Sequence, residues 1–99
     1  MSLELRIVGP RGVLCEEREL DAVIARRREA GFEQGSEVVI LPRHAPLLMQ
    51  TCACDVRWRR GGHEDAVAVE RGVLEVAHDV VTIVVTKQEH AASAGPPIG

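Results

Sequence analysis

Apolar and polar residues alternate with a period of two over much of this chain, the pattern of β-strands with one buried face. The alternation starts at once, since Leu3, Leu5 and Ile7 are separated by Glu4 and Arg6. No segment shows the 3.6-residue apolar period of a convincing amphipathic helix. The sequence therefore predicts that the chain begins with a half-buried strand and continues mainly in strands.

The segments after this strand predict short strands joined by turns. A turn at 9–12 leads to a return strand at 13–15, a charged connection at 16–19 and a strand at 20–25. Residues 26–30 are compatible with a single helical turn, and 31–36 indicate a flexible loop. Further strands are predicted at 37–41, 51–60, 66–69, 73–76 and 80–86, the last apolar enough to be buried on both sides. Many short strands at this spacing predict an all-β fold, either a sandwich or a barrel.

Two prolines bracket a histidine within residues 41–48, Leu-Pro-Arg-His-Ala-Pro-Leu-Leu. Each proline fixes its own φ and drives the preceding residue toward an extended conformation, which excludes a helix here. We call residues 42–46 the double-proline loop. It is predicted to be stiff, with Arg43 and His44 presented outward and Leu47 and Leu48 anchoring it. Such loops make contacts more often than they perform chemistry.

Composition narrows the class of protein. Ninety-nine residues indicate one domain, and with one Trp, one Phe and no Tyr the core must be aliphatic. The formal net charge of −3 gives no reason to expect a nucleic-acid partner. Three cysteines fit reduced thiols in a cytoplasmic compartment. Since the chain shows no signal-peptide pattern and no membrane-spanning apolar run, membrane association is expected only through partners.

A metal site is one candidate for chemistry. Cys52 and Cys54 fall on one face of the predicted strand at 51–60, with His63 across a predicted hairpin. A Cys-x-Cys spacing can supply two zinc ligands. A fourth ligand is not evident, however, and isolated cysteines usually behave as small buried apolar residues. The structural interpretation is therefore preferred, and no metal and no cofactor are expected.

Catalysis finds little support in the sequence. No nucleophile elbow and no phosphate-binding glycine-rich loop is present, and Gly61-Gly62 is predicted to be a hairpin turn. The basic run at 26–28 could contact acidic lipid headgroups or an acidic partner. Three charges on a short segment are more often simply solvated. A hydrolase is therefore the least favoured class.

Two motifs carry a resemblance to a known family. Residues 36–48 read Ser-Glu-Val-Val-Ile-Leu-Pro-Arg-His-Ala-Pro-Leu-Leu, and residues 72–76 read Gly-Val-Leu-Glu-Val. In their order along the chain, they resemble the N-terminal β-sandwich of the epsilon subunit of F-type ATP synthases. The resemblance covers nearly all of 1–89, which is expected to form this domain, with a disordered tail at 90–99.

The chain departs from the family pattern in three respects. Ser36, Val39 and Arg43 replace three glycines, which implies a less sharply turned approach to the loop. Residues 26–35 look like an insertion. Many members follow the sandwich with two inhibitory helices, which the small residues and prolines of the tail cannot form. If the chain is complete, it is expected to lack a C-terminal helical hairpin and the regulation that it carries.

The resemblance implies a mechanical function without catalysis. The chain would be a central-stalk subunit that joins the gamma subunit to the membrane ring of c subunits in a proton- or sodium-translocating ATPase. Glu37, Arg43 and His44 would face the ring, and the subunit would lie peripherally on the cytoplasmic face of a bacterial plasma membrane. The alternative is a free-standing β-sandwich binding module with metal at Cys52, Cys54 and His63.

Overall fold

A computed structural model of the chain describes residues 1–87, apart from the side chains of residues 32–34. In this part of the chain nine strands form and no helix is present. The strands are β1 (Leu3–Gly9), β2 (Gly12–Leu20), β3 (Ala22–Glu29), β4 (Phe32–Ile40), β5 (Leu47–Thr51), β6 (Cys54–Arg60), β7 (His63–Val69), β8 (Gly72–Ala77) and β9 (Val80–Val85). The predicted disordered tail at 90–99 lies outside the described residues.

The strands form one continuous sheet that folds over on itself. Their order is β2-β1-β9-β8-β5-β3-β6-β7, with β4 paired to β3. All pairs are antiparallel except β1 with β9. The sheet turns between β5 and β3, whose register contains the single pair Arg27 and Thr51. The first layer is therefore β2-β1-β9-β8-β5 and the second is β4-β3-β6-β7, which confirms the predicted all-β sandwich.

The core between the layers is aliphatic, as the composition requires. The buried cluster contains Leu3, Leu5, Ile7, Leu20, Val23, Ala25, Ile40, Met49, Val56, Trp58, Val69, Leu74, Val76, Val81, Ile83 and Val85. Every strand contributes at least one of these residues, and β1, β3, β6, β8 and β9 contribute two or more. Fully burying one such large side chain stabilises the fold by roughly 1.5–3 kcal/mol. The alternation that predicted β1 therefore corresponds directly to its buried positions.

Two predicted connections are strands instead. Residues 16–19 belong to β2, where Glu16 lies opposite Arg6 and ion-pairs with it at 3.4 Å. Residues 26–36, predicted as a helical turn and a flexible loop, extend the β3–β4 hairpin around a turn at 30–31. In both segments cross-strand pairing outweighs the local preference of charged residues and glycine for turns and loops. The predicted insertion at 26–35 is thus the outer half of a hairpin.

The last strand is not buried on both sides as predicted. Val81, Ile83 and Val85 are buried, but Val84 is 46% exposed on the outer face of the first layer. The structure also contains a strand that was missed, β5, which pairs with β8 from Leu47 onward. Leu48 is 72% exposed on this strand, so it does not anchor the double-proline loop.

Candidate functional site

The double-proline loop begins with a tight turn. The His44 N–H donates a hydrogen bond to the Leu41 carbonyl oxygen at 3.1 Å, with Pro42 and Arg43 as the central residues. Arg43 has a φ of 69°, in the left-handed region. Proline followed by a residue with positive φ is the signature of a type II turn. The prediction of a less sharply turned approach is therefore wrong at position 43, since the turn is tight although no glycine is present.

Asp79 holds this turn from the side. The Arg43 N–H donates to Asp79 Oδ1 at 2.6 Å. Asp79 and its neighbour His78 form the β8–β9 turn, where both have positive φ values, 63° and 53°. Two successive residues of this kind form a hairpin turn of type I′. The Asp79 carbonyl oxygen also accepts the Glu4 N–H at 2.9 Å, so the turn is joined to the start of β1.

The histidine of the loop is half-buried and fixed by a local contact. His44 Nδ1 lies 2.7 Å from the Ala45 carbonyl oxygen, which can only accept a hydrogen bond. Nδ1 therefore carries a proton and donates, and Nε2 is left as the second polar atom of the ring. Arg43 beside it is exposed, as predicted. The loop thus presents one guanidinium group and one imidazole at one end of the sandwich.

Glu37, the third residue of the predicted set, does not lie in the loop. It is in β4, and its carboxylate ion-pairs with the Arg57 guanidinium on the outer face of the second layer. Arg57 also contacts Glu64 at 3.3 Å, and Arg59 contacts Glu64 at 3.1 Å. Hydrogen bonds from Arg59 and then Arg57 hold the pKa of Glu64 below its ordinary value. The structure therefore joins Glu37 to a charged network and separates it from Arg43 and His44.

The outer face of the first layer is chemically different. Val73 lies opposite Val84, Val84 opposite Val8 and Val8 opposite Val13. We call these four residues the valine row. Val73, Val84 and Val13 are 42%, 46% and 50% exposed. This surface was not predicted from the sequence. Its signal was the apolar run of residues 80–85, whose outward residues were assigned to a second buried face.

The alternative metal site at Cys52, Cys54 and His63 is not assembled. Cys54 pairs with Val69, while His63 pairs with Arg60, six residues further along β6. At about 3.3 Å of rise per residue this spacing separates the two positions by roughly 20 Å. Among the residues that the structure describes, no group of three or more His, Cys, Asp or Glu side chains could hold a metal ion. The hairpin register therefore argues against the less favoured alternative, in which His63 lay across the hairpin from the cysteines.

The cysteines instead belong to the sandwich interior and its edge. Cys52 is buried and its thiol lies 3.6 Å from the Arg27 carbonyl oxygen, while Cys54 packs against the core. Burial raises the pKa of the Cys54 thiol, and burial with the nearby Glu17 carboxylate raises that of Cys15. All three are free thiols. Raised pKa values keep a thiol protonated and unreactive.

The basic run at 26–28 lies in β3 and not in a loop. Arg26 donates to the Gly35 carbonyl oxygen across the hairpin at 3.3 Å, and Arg28 is exposed. The run is thus dispersed over a strand, with successive side chains on opposite faces.

In residues 1–87 no helix is long and apolar enough to cross a membrane.

Comparisons with known proteins agree with the sandwich. Residues 2–91 match the family described as ATP synthase, Delta/Epsilon chain, beta-sandwich domain. The ATP synthase epsilon chain of Bacillus cytotoxicus is 40% identical over 85 residues, which are 86% of this chain and 59% of that protein. The epsilon chain of Bacillus thuringiensis is 38% identical over the same shares. The chain thus spans about three-fifths of the length of these relatives.

Two solved structures share the fold. One is the mitochondrial ATP synthase of Euglena gracilis, OSCP/F1/c-ring, with a TM-score of 0.72, 19% identity, and 94% of this chain and 61% of that chain covered. The other is the central stalk/c-ring of the Tetrahymena thermophila mitochondrial ATP synthase, with a TM-score of 0.63, 14% identity, and coverage of 88% and 65%. The family match and the Bacillus relatives confirm the resemblance drawn from the motifs: the chain belongs to the ATP synthase delta/epsilon chain family, as a bearer of its β-sandwich domain.

Proposed function

We propose that this chain is a non-catalytic central-stalk subunit of a rotary ATPase, which joins the gamma subunit to the membrane ring of c subunits. Family membership supports the assignment. The observation that carries the linking role is that the sandwich has two unlike surfaces at different places: the polar end formed by the double-proline loop and the apolar valine row. A subunit that makes two partners rotate together needs two such surfaces.

The polar end is the proposed contact with the ring. Arg43 and His44 lie in the double-proline loop at the end of the sandwich where β1, β5 and β9 begin. Glu37 completes the proposed set. Its carboxylate is already paired with the Arg57 guanidinium, so it would contact the ring either together with that group or by giving up this ion pair. Polar and charged groups suit this role because the exposed loops of a membrane ring lie near lipid headgroups. The ring surface is expected to be acidic or polar, to match Arg43.

The valine row is the proposed contact with gamma. Val84 lies four residues beyond the start of β9, which places it about 13 Å along the strand from the polar end. Adjacent exposed valines lose contact with water when a partner covers them, which contributes about 25 cal/mol for each Å² of apolar surface. The second layer is less suited to such a contact, since ion pairs of Arg57 and Arg59 with Glu37 and Glu64 cover its outer face.

The proposed role places the subunit at the cytoplasmic face of a bacterial plasma membrane, held there by its partners. The coupling ion, proton or sodium, would be set by the ring and not by this chain. Residues 1–89 would form the β-sandwich domain of this subunit. No chemical step is assigned to it: clamping requires two interfaces that do not slip under torque.

Co-purification tests the two interfaces separately. Val84→Glu should reduce recovery of gamma with the tagged chain at least tenfold, while Thr82→Glu, on the same face of β9 nearer the polar end, should retain it. The double variant Glu37→Lys with Arg43→Glu should lose the ring and keep gamma. Unchanged recovery of gamma by Val84→Glu and of the ring by the double variant would overturn the proposal.

A further inference from the structure

We propose that the β8–β9 turn forms the second half of the ring-contact surface and that Asp79 is the residue that positions the double-proline loop within it. This inference rests on the proposed contact between that loop and the c ring. It adds His78 as a contact residue and Asp79 as a positioning residue, neither of which the motif of residues 36–48 contains.

Arg43 has a backbone conformation that needs support. A φ of 69° is favourable for glycine but not for a residue with a Cβ atom, whose side chain then approaches the following carbonyl. Arginine therefore needs an interaction that offsets this strain. The Asp79 carboxylate supplies it, since Oδ1 accepts the Arg43 N–H at 2.6 Å and hydrogen bonds to ionised groups are stronger than neutral ones.

Asp79 is itself held in place by β1 and by the β8–β9 hairpin. Its carbonyl oxygen accepts the Glu4 N–H at 2.9 Å, and Ala77 pairs with Val80 at the base of the turn. Asp79 is therefore fixed to β1 and to the β8–β9 ladder by contacts that do not involve the loop. Through this carboxylate the loop is held by the body of the sandwich, and a pre-organised contact surface loses less entropy on binding.

The double-proline loop and the β8–β9 turn together form a surface with basic side chains. Arg43 and His78 are exposed and His44 is half-buried, so one guanidinium and two imidazoles are presented together. The carboxylate between the two turns, Asp79, is engaged by the Arg43 N–H, and Glu4 at the start of β1 ion-pairs with Arg18 at 3.5 Å. The surface is therefore suited to the acidic or polar loops expected of the ring.

The positioning role is tested with Asp79 variants in two backgrounds. Binding of the full chain, together with gamma, to detergent-solubilised c rings is the measurement. Asp79→Ala should weaken binding about tenfold, the scale of one lost charge-assisted hydrogen bond. Asp79→Asn, which keeps an acceptor oxygen, should restore most of it. In an Arg43→Gly background the same Asp79→Ala change should alter binding less than twofold, because glycine adopts positive φ freely. Equal losses in both backgrounds would overturn the positioning role.

The contact role is tested by charge reversal. His78→Glu should weaken ring binding at least fivefold, whereas Arg71→Glu, in the β7–β8 turn at the opposite end of the sandwich, should leave it unchanged. Arg43→Glu serves as the reference for the proposed function. Loss of binding by Arg43→Glu but not by His78→Glu would overturn this inference and leave the proposed function standing. Unchanged binding by both variants would overturn the proposed function itself.

Discussion

Arg60 in β6 reaches across the sandwich to Glu17 in β2, with Nη2 and Oε1 2.8 Å apart. The same guanidinium donates to the Arg18 carbonyl oxygen at 2.9 Å from Nη2 and 3.2 Å from Nε. Nearby, the Asp21 N–H donates to the Arg59 carbonyl oxygen at 2.8 Å. These bonds join the edge strand of the first layer to the second layer. Side-chain and backbone hydrogen bonds therefore close the curled sheet where no β-ladder connects β2 to β6.

Removing Arg60 should therefore weaken the closure of the sandwich. Arg60→Ala loses three hydrogen bonds, two of them to a backbone carbonyl that is then left without this partner. Because the group is partly exposed, we expect a loss of about 1–2 kcal/mol in the free energy of unfolding, measured by urea denaturation.

Arg59→Ala is the matched control, since this neighbouring arginine contacts only the exposed Glu64 carboxylate among the described ion pairs. It should lose less than about 0.5 kcal/mol. Equal losses for the two variants would mean that the β2–β6 closure contributes nothing beyond an ordinary surface charge.

Gly35 should be intolerant of any side chain. It has a φ of 64°, and a Cβ atom built there would lie 1.9 Å from the Arg27 carbonyl oxygen and 2.8 Å from Cys52 Sγ. Relief of this overlap requires the β3–β4 hairpin to open at its bulge. Gly35→Ala is expected to lower the free energy of unfolding by about 3 kcal/mol. A loss of this size is typical when a residue with a Cβ atom is forced to adopt positive φ and also clashes with a neighbouring backbone atom.

Gly31 provides the control for this prediction. It also has positive φ, 85°, but a Cβ atom there meets no other atom within 4 Å. Gly31→Ala should therefore lose only about 1 kcal/mol, from backbone strain alone. If both variants melted at the same temperature, the close approach at Gly35 would not be present in solution.

The parts of the fold that sequence predicted were those whose pattern is local. The alternation of Leu3, Leu5 and Ile7 and the motif at 36–48 both report one chain segment and its two faces. Residues 26–36 were misassigned because glycine at 31 and 35 and the arginine run are compatible with loop, helix or strand by local preference. Pairing of β3 with β4 across the hairpin, together with the pairing of Arg27 with Thr51 in β5, decides the outcome in favour of strand.

The loop position of Arg43 and His44 was predicted from the sequence, but the contacts that hold this loop and Glu37 were not. Arg43 and His44 were placed correctly in an outward loop, whereas the partner of Arg43, Asp79, is 36 residues away in sequence. Arg57 as the partner of Glu37 was equally out of reach, since it depends on β4 and β6 flanking β3. Tertiary contacts of this kind leave no periodic signal, so they become visible only when the strand order is known.

Thr51 contains a buried hydroxyl whose replacement should stabilise the protein. The side chain is 1% exposed, and its Oγ1 finds no hydrogen-bond partner in the described part of the chain. A buried polar atom left without a partner is unfavourable by about 1–3 kcal/mol. Thr51→Val has the same shape without the hydroxyl and should raise the free energy of unfolding by about 1 kcal/mol, measured by thermal and urea denaturation. Thr82→Val, on the outer face of β9, should change it little. A lower stability of Thr51→Val would indicate that a buried water satisfies the hydroxyl.

The Glu64 network should make stability depend on pH in the acid range. The pKa of Glu64 is below its ordinary value in the folded protein because Arg59 and Arg57 hydrogen-bond to the carboxylate, whereas the unfolded chain retains the ordinary value. The unfolded state therefore binds the proton more readily. The contribution of Glu64 to stability is complete above the ordinary carboxylate pKa and is lost as pH falls through the lower, folded one. Glu64→Gln should accordingly be less stable than the parent chain at pH 7, and the difference should shrink as the pH is lowered through this window.

Urea denaturation at pH 7, 5, 4 and 3 provides the measurement. Addition of 1 M salt should reduce the difference in stability at pH 7, because the Glu64 carboxylate is exposed. Glu75→Gln removes a carboxylate from the other layer and controls for net charge. A difference between Glu64→Gln and the parent that is independent of pH would show that Arg57 and Arg59 do not hold this carboxylate in solution.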